Sequence, residues 1–199
     1  MTLRKNRMIK NIALILAIAS LALGAASCGE KTADQDTADA KVQTKAQSRG
    51  EALPAVDLAN FTVKDLDGNL HSSSEWIGKQ PVVVNFWGSW CGYCRQETPD
   101  LVKLYNEYKD KGVVILGLAI NDTPPKARAF AEQYQMEWPI MMADNSVAAA
   151  FRITGAPTTV FFDKDGNVTQ VEDYNGTMVN QFVGARDYET LKRGFEAIL

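Results

Sequence analysis

Two cysteines with two residues between them are the part of this sequence best suited to covalent chemistry. Cys91 and Cys94 follow the apolar segment 82–86 and open a helical pattern that continues from Tyr93. At this spacing, in the first turn of a helix, the two sulfurs can approach bonding distance with little strain. The pattern therefore predicts a redox-active dithiol at a strand-to-helix junction.

Cys91 is the expected nucleophile of the pair. It would lie at the helix N-terminus, where unpaired backbone N–H groups and the helix dipole favour a thiolate. Such an environment lowers the pKa of a cysteine below the free value of about 8.5. Cys94 would then resolve the mixed disulfide, and we expect no cofactor besides this redox-active disulfide.

A zinc site and a purely structural disulfide are the two alternatives to redox chemistry at this pair. Zinc would need further ligands, but the sequence offers no second cysteine pair and a single histidine, His71, in a predicted hairpin. A disulfide across so short a loop stabilises a fold little, because the entropic gain grows with loop length. Met141 and Met142 are interpreted as strand residues and not as copper ligands. We therefore expect redox chemistry and no metal.

Five residues around the dithiol carry a family resemblance: Asn85, Trp87, Trp90, Glu97 and Pro99. With the dithiol they resemble the thioredoxin superfamily, and more narrowly its TlpA/ResA branch of membrane-tethered, extracytoplasmic disulfide reductases. The resemblance implies that Trp87 and Trp90 are the two active-site tryptophans and that Pro99 is the helix-kinking proline. Asn85 stands in place of the buried aspartate of cytosolic thioredoxin, and Glu97 matches an acid of the ResA-like branch.

A second motif, far along the chain, supports this resemblance. Residues 155–159 lie directly ahead of the apolar segment 160–162 and resemble the loop that holds a cis-proline opposite the dithiol. Sequence alone would predict a trans bond, because only about 5–6% of bonds before proline are cis. The resemblance implies a cis bond here and a substrate-binding surface around it, made by Trp90, Gly92, Tyr93, Ala156 and Pro157.

The resemblance also implies a role in proton transfer for Glu97. Reduced Cys91 would attack a substrate disulfide, and Cys94 would then attack Cys91 to release the reduced substrate. A buried Glu97 would have a raised pKa and could exchange a proton with Cys94, supported by Asn85. The alternative is that Glu97 is a solvated helix residue, as most helical glutamates are.

The resemblance covers residues 53–199 and implies an α/β, thioredoxin-like domain. We expect a central, mostly parallel mixed sheet with helices on both faces, because apolar strands such as 113–120 alternate with helical segments. An N-terminal β-hairpin is predicted around Asp67-Gly68, and a central helix-strand insertion between Pro124 and Met142. A second hairpin is predicted over 168–183, followed by a final helix.

The first 52 residues are typical of an export and tethering segment. A basic start precedes an uncharged apolar run, 12–26, which is short for a bilayer span of about 20 residues. The small residues before Cys28 resemble a lipobox, although Ala25 replaces the usual leucine. We predict a signal peptide (1–27), then a lipidated Cys28 that begins a disordered tether (28–52). An uncleaved anchor and ordinary signal cleavage remain the alternatives.

Composition and charge limit the kinds of partner that this protein is expected to bind. The 199 residues carry a formal charge of −3 and no basic cluster in the predicted domain, which argues against nucleic acid. We expect an extracytoplasmic, membrane-anchored monomer that acts on protein disulfides. The resemblance implies electrons from a membrane thiol donor of the DsbD/CcdA kind. It also implies a substrate such as an apocytochrome c awaiting haem, a copper-site assembly protein or a methionine sulfoxide reductase.

Two functions of other classes stay open at this point. A redoxin-type thiol peroxidase would need Thr or Ser in place of Cys91, ahead of a lone peroxidatic cysteine. A copper-site assembly chaperone would use Cys91 and Cys94 as soft ligands, but it usually recruits a histidine as well. Peroxide consumption and Cu(I) titration would separate these functions from disulfide reduction.

Overall fold

The computed structural model describes residues 58–199. The predicted signal peptide (1–27), the lipidation site Cys28, the tether (28–52) and the predicted start of the domain at Leu53 lie outside the described residues. Within the described residues, no helix is long and apolar enough to cross a membrane. The described strands are β1 (Thr62–Asp65), β2 (Leu70–Ser72), β3 (Val82–Trp87), β4 (Val114–Ala119), β5 (Ile140–Met142), β6 (Thr158–Phe162), β7 (Val171–Glu172), β8 (Met178–Val179) and β9 (Gln181–Val183). The α-helices are α1 (Gly92–Tyr108), α2 (Pro124–Tyr134), α3 (Asn145–Ala150) and α4 (Tyr188–Ala197).

Seven of these strands form one mixed sheet in the order β2-β1-β5-β4-β3-β6-β9. The α/β class is confirmed. The sheet was expected to be mostly parallel, but its strands are parallel only at the centre, where β4 pairs with β3 and β5. The remaining pairs are antiparallel. Strand β6 is antiparallel to β3 because the connection through α3 is short and does not return the chain to the opposite end of the sheet. Strand β6 therefore starts where β3 ends, with Thr158 opposite Phe86.

The first predicted hairpin is confirmed and the second is partly wrong. Strands β1 and β2 pair across a turn in which Gly68 has a φ of 90°. In the second hairpin only β7 and β8 pair with each other, as a separate two-stranded sheet. Strand β9 instead pairs with β6, because Phe182 is buried against Phe161 with ring centroids 5.4 Å apart.

Helices cover both faces of the main sheet, as expected. On one face, Val83 packs with Leu104 of α1 and Phe195 of α4. On the other face, Phe86 packs against Phe151, which directly follows α3. The predicted insertion is α2 with β5, and its Phe130 stacks on the last residue of β3. The insertion therefore reaches the edge of the sheet at which the dithiol lies.

Candidate active site

The dithiol lies at the junction between β3 and α1. Cys91 is the N-cap residue of α1 and Cys94 is in its first turn, with the two sulfurs joined as a disulfide and the Cα atoms 5.3 Å apart. The backbone N–H of Cys94 donates to Cys91 Sγ at 3.1 Å. This N–H and the helix dipole favour negative charge on that sulfur once the disulfide is reduced.

Cys91 is the more accessible cysteine. Its exposed fraction is 4%, against 1% for Cys94, and its Sγ lies 3.3 Å from the carbonyl oxygen of Ala156. Trp90 and Tyr93, on either side of it, are 56% and 66% exposed. Cys91 is therefore the cysteine nearer to solvent, close in the chain to two exposed aromatic residues and beside the loop before β6.

The loop before β6 lies beside the dithiol, as the family resemblance implied. The Ala156–Pro157 peptide bond is cis. The carbonyl of Pro157 accepts a hydrogen bond from the N–H of Gly184 at 2.8 Å. Because β6 is antiparallel to β3, both this loop and Cys91 lie at the same end of the sheet.

Glu97 is buried, with 2% of its surface exposed, so it is not a solvated helix residue. Its Oε2 accepts a hydrogen bond from Asn85 Nδ2 at 3.3 Å, and its Oε1 accepts one from the N–H of Arg186 at 3.1 Å. Asn85 Nδ2 also lies 3.0 Å from Thr159 Oγ1. Glu97 is three residues after Cys94 on α1, so that it occupies the adjacent turn of the same helix.

Burial raises the pKa of Glu97 to about 7. The hydrogen bonds from the Arg186 N–H and the Asn85 amide oppose this effect, as does the positive charge of Arg186. The negative charge of Asp100 adds to the upward shift. A carboxyl group with such a pKa changes its protonation state near neutral pH, as a proton-exchanging group must.

Trp87 and Trp90 have different environments. Trp87 is 1% exposed and stacks on Phe130 at a centroid distance of 4.7 Å. Trp90 lies at the surface and its Nε1 donates to the carbonyl of Ile120 at 3.2 Å. Pro99 lies inside α1, where it has no N–H to donate along the helix. One tryptophan therefore packs in the core and the other flanks the dithiol.

Sequence reasoning missed the contacts that hold the loop before Cys91. The carboxylate of Asp122 accepts hydrogen bonds from the N–H of Ser89 at 2.6 Å and from its Oγ at 3.0 Å. Arg95 donates to the carbonyl of Ser89, and its guanidinium lies 5.3 Å from the centroid of Phe130. In the sequence, Asp122 follows the segment that forms β4 and precedes a predicted helix. An acid at that position indicates a helix cap and does not by itself predict a contact with Ser89.

A second missed feature is a largely buried ion pair between Asp173 and Arg186, with Nε and Oδ1 2.6 Å apart. Their side chains are only 9% and 14% exposed. Asp173 lies in the second predicted hairpin and Arg186 lies after it, so no short-range sequence pattern predicts their contact. Across residues 58–199, no three His, Cys, Asp or Glu side chains are grouped so that they could hold a metal ion.

Comparison with known proteins places this site in a recognised group. Residues 54–171 match the AhpC/TSA family. The thiol-disulfide oxidoreductase ResA of Geobacillus kaustophilus is 35% identical over 134 residues, which are 67% of this chain and 75% of the relative. ResA of Halalkalibacterium halodurans is 32% identical over 170 residues, 85% of this chain and 87% of the relative.

Solved structures agree with this placement. The MTB dsbF protein, solved in mixed oxidised and reduced forms, matches with a TM-score of 0.61 and 27% identity over 72% of this chain and 98% of its own. A secreted Mycobacterium tuberculosis disulfide oxidoreductase homologous to E. coli DsbE matches with a TM-score of 0.59 and 25% identity, over 72% of this chain and 99% of its own. Both the sequence relatives and the structural neighbours are thiol-disulfide redox proteins.

Proposed function

Because the chain belongs to the AhpC/TSA family and to the ResA-like thiol-disulfide oxidoreductases, we propose that it reduces protein disulfides outside the cytoplasm. The protein is an enzyme that exchanges thiols and disulfides, and the proposal concerns its direction, its residues and its location. The observation that supports the choice of residues is geometric: the Cys91–Cys94 pair begins α1, and the buried carboxyl group of Glu97 lies one helical turn from the enclosed cysteine.

The reaction takes place in two exchange steps. The Cys91 thiolate attacks one sulfur of a substrate disulfide, which forms a Cys91–substrate bond and releases the other substrate sulfur as a thiolate. Cys94 then attacks Cys91, which forms the Cys91–Cys94 disulfide and releases the second substrate thiolate. Two electrons pass from the dithiol to the substrate, and the pair is the only redox group that the reaction needs.

Glu97 accepts the proton that Cys94 must lose before the second step. A base is most effective when its pKa lies near the working pH, and burial gives Glu97 that property. The Asn85 amide holds the Glu97 carboxyl group against β3. Because the amide is neutral, it does not fix the carboxyl group in its charged form. Trp87 and Pro99 keep the helix start and its surroundings in place.

An extended substrate segment binds beside the Ala156–Pro157 peptide. The N–H and the carbonyl of Ala156 serve as partners for a second strand, as in other complexes formed by strand addition, because Pro157 has no N–H and its carbonyl already accepts from Gly184. A groove of about 460 Å³ runs from Trp90 past Ile153 to Ala156 and accommodates apolar substrate side chains. Gly92 and the exposed ring of Tyr93 complete the contact surface next to Cys91.

A lipid on Cys28 tethers the enzyme to the outer side of a membrane after removal of residues 1–27. The basic and apolar start of the chain supports this assignment. A membrane thiol donor of the DsbD/CcdA kind re-reduces the disulfide, because cytosolic reductants do not reach that compartment. Cytochrome c maturation is the process we assign to the enzyme, which acts there as a monomer.

Insulin reduction with dithiothreitol as the electron source tests the redox assignment. The purified protein should reduce insulin, and Cys91→Ala should abolish the activity. Cys28→Ser is the matched control, since it removes the third cysteine without touching the dithiol, and it should retain full activity. Equal activity of wild type and Cys91→Ala, or thiol-dependent peroxide consumption in place of insulin reduction, would refute the assignment.

A trapping experiment identifies the physiological substrate. A Cys94→Ser form cannot resolve the mixed disulfide and should accumulate a covalent adduct with its partner in the native host. Capture of an apocytochrome c would support the process that we assign. Capture of a methionine sulfoxide reductase or a copper-site assembly protein would refute that process and leave the chemistry intact.

A further inference from the structure

The largely buried Asp173–Arg186 pair is an ion pair next to the active site that the proposed reaction does not use. The guanidinium binds the carboxylate through two bonds, Nε to Oδ1 at 2.6 Å and Nη2 to Oδ2 at 2.9 Å. Its remaining Nη1 donates to the carbonyls of Val183, Gly184 and Ala185 at 3.1, 3.1 and 3.2 Å. Through these carbonyl contacts, the Arg186 side chain holds the backbone of its own segment, residues 183–186, in one conformation.

Segment 183–186 donates two backbone N–H groups to the active site. The N–H of Gly184 binds the carbonyl of Pro157 at 2.8 Å, and the N–H of Arg186 binds Glu97 Oε1 at 3.1 Å. Gly184 has a φ of 88°, which allows the tight course of the segment. One short segment thus contacts the substrate-binding loop on one side and the buried carboxyl group on the other.

We propose that Asp173 and Arg186 are positioning residues for the redox centre, because their ion pair fixes the segment that binds Glu97 and Pro157. Neither side chain contacts a sulfur, so they act through the backbone N–H groups. Burying an ion pair costs desolvation energy that its own attraction often fails to exceed. The contribution of this ion pair is therefore geometric, because a two-bond arginine contact fixes the relative orientation of the two side chains. The inference rests on the proposed proton transfer by Glu97.

The groups that face Glu97 determine the sign of the expected effect. On its own helix lie Asp100, whose negative charge disfavours the carboxylate, and Cys94, which is neutral in the disulfide. From β3 comes the neutral amide of Asn85. From segment 183–186 come the N–H and the positive charge of Arg186, both of which favour the carboxylate. As long as Glu97 stays buried, loss of the Arg186 N–H contact therefore raises the pKa of Glu97 above its present value.

Arg186→Lys in the full-length protein is the decisive variant. Lysine keeps the positive charge, but its three N–H donors cannot make the two-bond contact with Asp173 and the three carbonyl contacts together, so the segment is held less firmly. The Glu97 carboxyl resonance, followed by NMR with ¹³C-labelled glutamate, should titrate about one pH unit higher than in wild type. The pH midpoint of disulfide reduction should move by the same amount and in the same direction.

Two further proteins separate positioning from general damage. Arg193→Lys makes the same chemical change nearby, where Arg193 Nε donates to the carbonyl of Glu172 at 3.1 Å, and should leave the Glu97 titration unchanged. The double variant Asp173→Asn, Arg186→Gln leaves no unpaired buried charge, and its Glu97 titration should also move upward. Thermal unfolding confirms that each variant is folded.

The inference is overturned if both folded Arg186 variants titrate Glu97 as wild type does. The same conclusion follows if Arg186→Lys alters the rate profile equally in a Glu97→Gln background, since the effect would then bypass Glu97. The carboxyl titration needs no turnover, so it decides the positioning role even if the protein reduces no disulfide. Failure of insulin reduction in wild type would instead count against the proposed function.

Discussion

The amide of Asn85 donates a hydrogen bond to the buried carboxyl group of Glu97, with Nδ2 and Oε2 3.3 Å apart. This bond joins β3 to α1, the helix that begins at the dithiol. A neutral amide stabilises a carboxylate less than a buried cation would, so that burial dominates and the pKa of Glu97 rises to about 7. The neutral partner Asn85 thereby leaves Glu97 able to bind and release a proton near neutral pH.

Glu97→Gln tests this role directly. Glutamine keeps the size and the hydrogen-bonding capacity of the side chain, so the fold should persist. Removing a general base typically slows a reaction by about 10²- to 10⁴-fold, and we expect slower insulin reduction at pH 7 toward the lower end of that range. Rates measured from pH 5 to 9 should lose the inflection near 7, and the thiol titration of the dithiol should shift.

Unchanged rates and an unchanged thiol titration in Glu97→Gln would contradict the proton-transfer role. The redox state provides a second check. A thiolate near Glu97 in the reduced enzyme disfavours a second negative charge, so the Glu97 pKa should be higher in the reduced than in the oxidised protein. Carboxyl NMR of the two redox forms measures that difference.

The stability of the oxidised protein should depend on the protonation of Glu97. Its folded pKa, about 7, lies above the ordinary value of 4.5, so the folded state binds the proton more tightly than the unfolded state does. The resulting stabilisation is complete below pH 4.5 and is lost as the pH rises through 7. The loss amounts to about 3 kcal/mol at most.

Denaturant unfolding from pH 4 to 8 measures this loss, with Glu97→Gln as the reference. The reference is needed because carboxyl groups with lowered pKa values act in the opposite direction at lower pH. Asp173, for example, is held below its ordinary pKa mainly by its hydrogen bonds to Arg186, and its stabilisation is lost as the pH falls. A difference between wild type and Glu97→Gln that does not change with pH would contradict the prediction.

Local patterns in the sequence predicted much of the candidate site. The spacing of Cys91 and Cys94, with an apolar segment before and a helix after, was enough to place the dithiol at a strand-to-helix junction. The family resemblance, carried by the residues around the dithiol, implied a buried Glu97, and it is buried. Such features depend on neighbours in the chain, whose geometry a helix or a turn determines.

Contacts between distant segments were not predictable in the same way. Arg186 binds Glu97 across 89 residues, and Asp122 binds Ser89 across 33. The alternation of apolar residues in β9 is equally compatible with pairing to β8 or to β6, and burial of Phe182 decided between them. A single sequence specifies which faces are apolar but not which strand a face will meet.

Cys28→Ser tests the proposed lipid anchor. The wild-type protein, expressed in a bacterial host with a lipoprotein pathway, should have a mature mass that includes a diacylglyceryl group and should partition into detergent. The serine variant should lack both properties, because only the cysteine thiol accepts the lipid. An identical mature mass and partition in both proteins would contradict lipidation and favour an uncleaved anchor or ordinary signal cleavage.

Asp122 fixes the loop that leads into Cys91, and its replacement should affect both stability and rate. Asp122→Ala leaves the N–H and Oγ of Ser89 without their acceptor, which should cost about 1–3 kcal/mol of unfolding free energy. Because the N–H of Cys91 binds the carbonyl of Gly88 within the same loop, greater freedom there should also lower kcat/KM for insulin. Asp122→Asn keeps one acceptor oxygen and should lie between Asp122→Ala and wild type in both measurements. If Asp122→Ala matches wild type in denaturant unfolding and in kcat/KM, the contact from Arg95 to the Ser89 carbonyl holds the loop without help from Asp122.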